Sequence, residues 1–230
     1  MGLLGLWDVS LTFIIEMETL EIKNRKSEIG NLSSLPVMEA FYTIQGEGFH
    51  QGKAAYFIRL GGCDVGCFWC DVKESWDVTK HPLKTIQQIV DEAKSYPARL
   101  AVVTGGEPLM HNLDELTETL QANGFATNIE TSGAYDLSGK WNWICLSPKK
   151  FKPPLPGILS GADELKIVVY NQSDFAWAEK YASLVSPGCK LYLQPEWDRT
   201  DVVMPSIIDY IKSNPKWELS LQIHKFINVP

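Results

Sequence analysis

The 230-residue sequence has little of what marks a secreted scaffold, a membrane protein or a nucleic-acid binder. Positive charge is short: 21 Lys and Arg stand against 28 Asp and Glu, and a formal net charge of −7 argues against a polyanionic partner. Cysteine is sparse, five in all, and three of them crowd between positions 63 and 70, which excludes a disulfide framework and points to a reducing compartment. No internal repeat and no low-complexity tract is present. The apolar start, Met1–Ile15 (MGLLGLWDVSLTFII), is too short to span a bilayer. It has no basic region before it, Asp8 interrupts it, and no small-residue cleavage site follows, so it is not a secretory signal. Met17 is the expected start, and residues 1–34 are expected to form a flexible extension ahead of one domain at 35–230.

What remains is ordinary for a globular protein: 45% hydrophobic and 21% charged residues, enough for one full core. Strand-like and helix-like runs alternate. Ala54–Leu60 reads as a strand ending at Gly61-Gly62. Thr85 reads as the cap of a helix over IQQIVDEAKSY, followed by a buried strand at 100–104 and a helix at 112–123 closed by Gly124. Further strands are expected at 126–130, 143–146, 164–169, 190–193 and 219–223, and further helices at 173–185 and 201–212. Alternation of this kind implies a parallel sheet, and six or seven strands are too few for a closed eight-fold barrel. The expected fold is α/β, an incomplete, open β/α barrel. In such folds the chemistry sits at the carboxyl ends of the strands. Most of the unusual polar residues fall there: TGGEP at 104–108, ETSG at 130–133, SPK at 147–149, QPE at 194–196 and HK at 224–225.

Cys63, Cys67 and Cys70 carry the sharpest chemistry, in the spacing CxxxCxxC with no fourth thiol nearby. Thiolates suit zinc and iron–sulfur clusters. A closed zinc site or an electron-carrying cluster wants four ligands, whereas three thiolates on a cubane leave one iron open to a small molecule. A zinc knuckle remains the plain alternative. Cys145 and Cys189 stand alone and read as ordinary buried or loop thiols.

With Trp69 just before the last cysteine, the loop resembles that of the radical S-adenosylmethionine (SAM) superfamily. That resemblance implies a 4Fe-4S cluster whose open iron chelates the amino and carboxylate groups of SAM, and reductive cleavage to a deoxyadenosyl radical. Upstream lies Phe41-Tyr42-Thr43-Ile44-Gln45-Gly46-Glu47-Gly48, which by itself could be a plain hairpin. Taken with FIRLGGC, TGGEP, ETSG, SPK, LQP and the closing HKFINVP, it is similar to the 7-carboxy-7-deazaguanine synthase (QueE) family over 35–230. The resemblance implies a lyase that converts 6-carboxy-5,6,7,8-tetrahydropterin to 7-carboxy-7-deazaguanine with loss of ammonia, in queuosine precursor biosynthesis. Trp69, Cys70, Asp71, Gly105, Gly106, Glu107, Ser132, Ser147, Pro148, Lys149 and Gln194 would then surround SAM. Ile44, Gln45, Gly46, Glu47, Arg59, Thr104, His224 and Pro230 would hold the pterin, Arg59 by forking onto its carboxylate. The resemblance also implies a homodimer, a cytoplasmic setting and an external flavodoxin-like or ferredoxin-like electron donor, with neither nucleic acid nor membrane as partner. One position departs from the family. Val72 stands where a Thr or Ser hydroxyl would help ligate Mg2+, and valine offers no side-chain lone pair. Either the ion is held by substrate, water and Asp71, or Lys73 supplies the positive charge instead.

Two other classes compete. A small iron–sulfur carrier or a zinc module would account for the cysteines but leave QGEG, GGEP and SPK idle. A radical SAM activase of another protein would share the cluster and GGEP but not QGEG or the closing HK. Replacing Cys63, Cys67 and Cys70 together with Ala is expected to abolish the brown chromophore after anaerobic iron–sulfide reconstitution. Cys145→Ala and Cys189→Ala are expected to keep it, as read by visible absorption and bound iron. A triple variant with an intact chromophore contradicts the ligand set.

Overall fold

The structure, a computed structural model, describes residues 33–230. The expectations for the N-terminal extension and the start at Met17 lie outside the described residues. Nine strands form one sheet: β1 (Ser34–Ile44), β2 (Ala54–Leu60), β3 (Leu83–Thr85), β4 (Leu100–Gly105), β5 (Ala126–Thr131), β6 (Trp143–Leu146), β7 (Glu164–Val169), β8 (Lys190–Pro195) and β9 (Glu218–Leu219). Their order is β3-β1-β2-β4-β5-β6-β7-β8-β9. From β2 to β9 every neighbouring pair is parallel, while β1 runs antiparallel to β2. The sheet is not closed, so the architecture is an open β/α barrel. Helices α1 (Ile86–Lys94), α2 (Asp114–Ala122), α3 (Pro156–Leu159), α4 (Ser173–Ala182), α5 (Thr200–Ser213) and α6 (Ile223–Ile227) complete it. Among the described residues no helix is long and apolar enough to cross a membrane.

Alternation along the strands divides the chain between two faces. Tyr56, Ile58 and Leu60 of β2, Ala101 and Val103 of β4, and Leu165, Ile167 and Val169 of β7 belong to the main core. Helices α1, α2, α4 and α5 bury Ile89, Val90, Leu116, Leu120, Phe175, Val203 and Ile207 in the same core. The intervening residues face the other way. There Ala55, Phe57 and Val102 make a small apolar floor, with Phe41 stacked on Phe57 at 5.4 Å. Arg59, Thr104, Glu130, Lys166 and Gln194 follow on that face toward the carboxyl ends, and all of them line one cavity.

Helix α1 begins as its sequence predicts. Thr85 Oγ1 accepts from Gln88 N at 3.2 Å and Gln88 Oε1 accepts from Thr85 N at 2.9 Å, a reciprocal cap. The sequence reading missed β1 and β3. β1 contains Pro36 and several half-exposed positions, so its alternation is weak, and β3 is three residues long. The plain hairpin considered for QGEG does join β1 to β2, through Gln45 N to Lys53 O and Gly52 N to Gln45 O, both 2.8 Å. The strand expected at 219–223 is corrected. Pairing ends at Leu219, and Ile223 starts α6 instead. Ile223 N bonds Gly46 O at 3.0 Å, which draws the chain off the sheet edge and over the QGEG turn.

Gly105 ends β4 at a φ of 143°, and a Cβ there would lie 2.2 Å from Leu60 O and 2.5 Å from Leu60 N on β2. Gly105→Ala is therefore expected to cost about 1–3 kcal/mol in urea unfolding. Gly157→Ala, with open space around its Cβ position, is expected to cost little by comparison. Equal losses in the two variants contradict the close approach of β2 and β4.

Candidate active site

A cavity of about 210 Å³ opens at the carboxyl ends of the strands. On one wall the loop after β2 carries Cys63, Cys67 and Cys70, all free thiols and all facing the cavity. Main-chain bonds from Gly62 N to Ser75 O (2.6 Å) and Cys63 N to Trp76 O (3.2 Å) pin this loop to the segment after it. Burial pushes the Cys67 thiol up to about 11, although the Lys149 charge nearby pulls the other way. Burial raises Cys63 as well. Among the described residues no three His, Cys, Asp or Glu side chains converge closely enough to hold a single metal ion. Three thiols spaced around one cavity suit the corners of a polynuclear cluster better than one tetrahedral zinc.

The second wall is TGGEP against ETSG. Gly106 packs so tightly on the cysteine loop that a Cβ would lie 2.3 Å from Gly62 O, and Glu107 N bonds that same oxygen at 2.8 Å. Glu107 itself is buried. Its carboxylate accepts from Thr131 Oγ1 (2.5 Å), Ser132 N (2.8 Å), Ser132 Oγ and Leu109 N (3.1 Å). Four donors occupy it, so Glu107 lines the cavity as a clip between two strand ends. Ser132, Thr104, Ser147 and Gln194 line the cavity as well. Lys149 Nζ donates to Ser147 Oγ at 2.5 Å and lies 5.5 Å from the Trp69 ring. Burial lowers its pKa.

The third wall is a charge network. Lys166 on β7, 4% exposed, donates to Glu47 Oε2 and lies 3.8 Å from Glu130 Oε2. Gln222 Nε2 donates to Glu47 Oε1 at 2.9 Å, and Gln45 Nε2 donates to Glu130 Oε1 at 2.8 Å. Burial alone would raise the Glu47 carboxyl, but the Lys166 charge and the bonds from Lys166 and Gln222 outweigh it and hold Glu47 at about 2. Burial opposes the charge on Lys166, yet Cys145 and the carboxylates Glu130, Glu47 and Glu164 carry its pKa well above the ordinary range.

The QGEG turn needs both glycines. At Gly46 a Cβ would sit 2.1 Å from the His224 ring, and at Gly48, whose φ is 60°, a Cβ would sit 1.9 Å from Glu164 Oε1. Glu164 in turn accepts from Phe49 N (3.2 Å) and Trp143 Nε1 (2.9 Å), and Phe49 stacks on Trp143 at 4.2 Å. Cys145 donates to the same carboxylate at 3.5 Å, and Cys189 donates to Lys190 O at 3.6 Å.

Other sequence candidates sit less directly. Ile44, Gln45, Gly46 and His224 do not line the cavity, and lie behind or beside Glu47. Burial lowers the His224 pKa. Pro230 O accepts from Thr43 Oγ1 at 3.0 Å. Pro148 faces a smaller neighbouring cavity. Arg59 lines the main cavity but its Nε donates to Glu39 at 2.6 Å. Asp71 pairs with Lys225 at 2.9 Å. Lys73, the expected substitute charge, is exposed and does not line the cavity, so the cation beside Asp71 is Lys225 instead.

Thiol triad, clip and charge network thus face one another across one cavity at the expected rim. The family model for the Radical SAM superfamily matches residues 57–141. A 7-carboxy-7-deazaguanine synthase of Flavobacterium psychrophilum is 53% identical over 196 residues, covering 85% of this chain and 93% of that protein. One from Synechocystis is 47% identical, covering 85% and 94%. The crystal structure of QueE from Escherichia coli overlays with a TM-score of 0.70 at 34% identity, covering 82% of this chain and 93% of that one. The chain belongs to the 7-carboxy-7-deazaguanine synthase family.

Two residues of this QueE-family site escaped the sequence reading. Lys166 sits in ELKIVV, which read only as a further strand. A central parallel strand is normally apolar on both faces, so Glu164 and Lys166 at alternate positions were the available signal. Gln222 lay within a segment assigned to a strand. Glu196, named in its motif without a role, lines the cavity with Oε2 buried and unpartnered.

Lys166→Met leaves Glu47 and Glu130 buried without their cation. It is expected to lower stability by about 3–5 kcal/mol in denaturant unfolding at pH 7. In the native chain Glu47 titrates below its ordinary value, so its contribution is present above about 4.5 and is lost as pH falls toward about 2. In the variant burial favours the protonated Glu47 carboxyl instead, so the destabilisation should be largest near neutral pH and shrink as pH falls. An unchanged stability–pH profile contradicts the pairing.

Proposed function

We propose that this chain converts 6-carboxy-5,6,7,8-tetrahydropterin to 7-carboxy-7-deazaguanine, releasing ammonia. The observation that carries the reading is the placement of the Glu47–Lys166–Glu130 network in the same cavity as three free thiols. A pterin presents an amide and an amidine edge, and a fixed carboxylate is the natural acceptor for an amidine.

The donor set fits a 4Fe-4S cluster on Cys63, Cys67 and Cys70 and SAM beside it. Glu196 Oε2, buried and unpartnered, is an acceptor for the ribose hydroxyls of such a ligand. Ser147 and Lys149 offer a hydroxyl and a cation for its carboxylate, and the Gly105-Gly106 main chain offers acceptors for its amino group. When bound, the cluster and SAM supply hydrogen-atom abstraction from unactivated carbon, which no side chain here provides.

The chain's own residues bind and orient. Glu47, kept ionised by Lys166 and Gln222, receives the amidine edge. Gln45 and Lys166 hold Glu130 alongside. Arg59, whose Nε is on Glu39, keeps the two terminal nitrogens of its guanidinium for the substrate carboxylate. Trp69, Trp76 and Val65 on the cavity wall exclude water.

Magnesium does not fit the residues present. Val72 lines the cavity without a side-chain oxygen, its carbonyl accepts from Ser75 Oγ at 2.7 Å, and Asp71 is neutralised by Lys225. No step is assigned to the ion.

The test is anaerobic. Reconstituted protein, SAM, dithionite and the carboxylated tetrahydropterin are expected to give 7-carboxy-7-deazaguanine by mass spectrometry. SAM cleavage with no deazaguanine places the chain with another radical SAM activity. Turnover is expected to persist when magnesium is chelated, with bound iron measured alongside, and Val72→Thr is expected to gain magnesium stimulation. A wild-type enzyme that loses all turnover on chelation with its iron intact contradicts the charge arrangement around Asp71.

A further inference from the structure

The outer side of the cysteine loop carries features the pterin reaction does not use. Phe68, between two of the thiols in sequence, is 56% exposed, and Phe151 is 45% exposed. Their rings meet edge-on at 5.7 Å, and Phe68 meets Tyr170 edge-on at 5.2 Å. A surface protein does not ordinarily spend exposed phenylalanines in a cluster unless something covers them. With Trp177 they line a cavity of about 130 Å³ that shares Trp69, Lys149 and Val168 with the main cavity. One layer of residues therefore separates this surface from the thiols.

Charge at this patch opposes that of the chain. Lys150 and Lys180 lie over the Trp177 ring at 6.0 and 5.3 Å, Arg199 lies over Tyr170 at 5.1 Å, and Lys152 over Tyr135 at 4.0 Å. Two of these cations are paired, Lys150 with Asp174 and Lys152 with Asp64, while Lys180 and Arg199 form no salt bridge among the described residues. Two cations of the patch are thus left without a salt-bridge partner on a chain whose net charge is −7.

We propose that this aromatic, basic patch around Phe68 and Phe151 is the docking surface for an acidic flavin-carrying electron-transfer protein. The exposed edge of a flavin is planar and apolar and suits the Phe68–Phe151 pair, and an acidic rim suits the lysines. Docked there, the reduced flavin would give one electron to a cluster that Cys63, Cys67 and Cys70 would hold behind the loop. No bond forms or breaks, and the carrier leaves oxidised by one electron. The inference rests on the cluster reading above.

The test uses reconstituted holoenzyme and two reductants, reduced flavodoxin and dithionite. The variant is Phe151→Glu combined with Lys180→Glu. The control is Lys140→Glu, an exposed lysine on the loop before β6, at the opposite rim. In the double variant the KM for flavodoxin is expected to rise about tenfold and to become less salt-dependent, while dithionite-supported turnover and bound iron stay at the wild-type level. The control is expected to change neither. Four results overturn the docking proposal: an unchanged KM for flavodoxin, an equal rise in Lys140→Glu, parallel loss with both reductants, or a response to reduced ferredoxin alone. Absence of dithionite-supported turnover in the wild-type enzyme is a different failure and counts against the proposed function itself.

Discussion

A single buried lysine organises the charged end of this molecule. Lys166 projects from the middle of a parallel sheet, where desolvating an ammonium is costly unless anions accompany it. Glu47 and Glu130 are those anions. They come from different parts of the chain, one from the hairpin after β1 and one from the end of β5. Because each charge is tolerable only with the others in place, the three positions are mutually constraining. The QGEG turn cannot move without stranding Lys166, and Gln45 and Gln222 each donate one amide hydrogen bond to a carboxylate oxygen, which leaves acceptor sites for a ligand. A rigid constellation of this kind is what a substrate with a fixed hydrogen-bond edge needs.

The opposite end is organised by hydrogen bonds to Glu107 instead of by ion pairing. Its carboxylate joins the loop after β4 to that after β5, while its main-chain N–H bonds the cysteine loop after β2. Three strand ends are thus tied at one residue. The neighbouring glycines allow the strands and loops to approach within main-chain distance. A cysteine loop of only eight residues, counting its first and last thiol, has little internal structure, and this attachment substitutes for it. The two ends meet across the cavity with Thr104, Ser147 and Gln194 between them.

The Asp71–Lys225 pair links the C-terminal helix to the end of the cysteine loop, and Lys225 also lies 4.7 Å from the Trp197 ring. Its position explains how a valine is accommodated at position 72. A carboxylate that would otherwise seek a cation already has one, supplied by the segment that closes over the QGEG turn. A partly exposed pair of this kind contributes little stability by itself. Its consequence is local: it brings the closing helix and the cluster loop into register.

Much of the fold and the gathering of three thiols at one rim were legible in the sequence, because they depend on local rules. Thiol spacing, a Thr–x–x–Gln cap, alternation in a half-buried strand and Gly-Gly at a strand end are set by residues a few positions apart. The rule that parallel strands present chemistry at their carboxyl ends then gathers TGGEP, ETSG and SPK on one rim. Tertiary structure alone decided which charge faces which. Lys166 and Glu47 are 119 residues apart and Lys225 and Asp71 are 154 apart. No periodicity encodes such pairings, since they follow from the order of strands in the sheet. The same reason explains why Glu107 looked like a free ligand and Lys73 like the available cation. In a linear sequence every polar side chain is unpartnered, and only packing reveals which ones have already been satisfied.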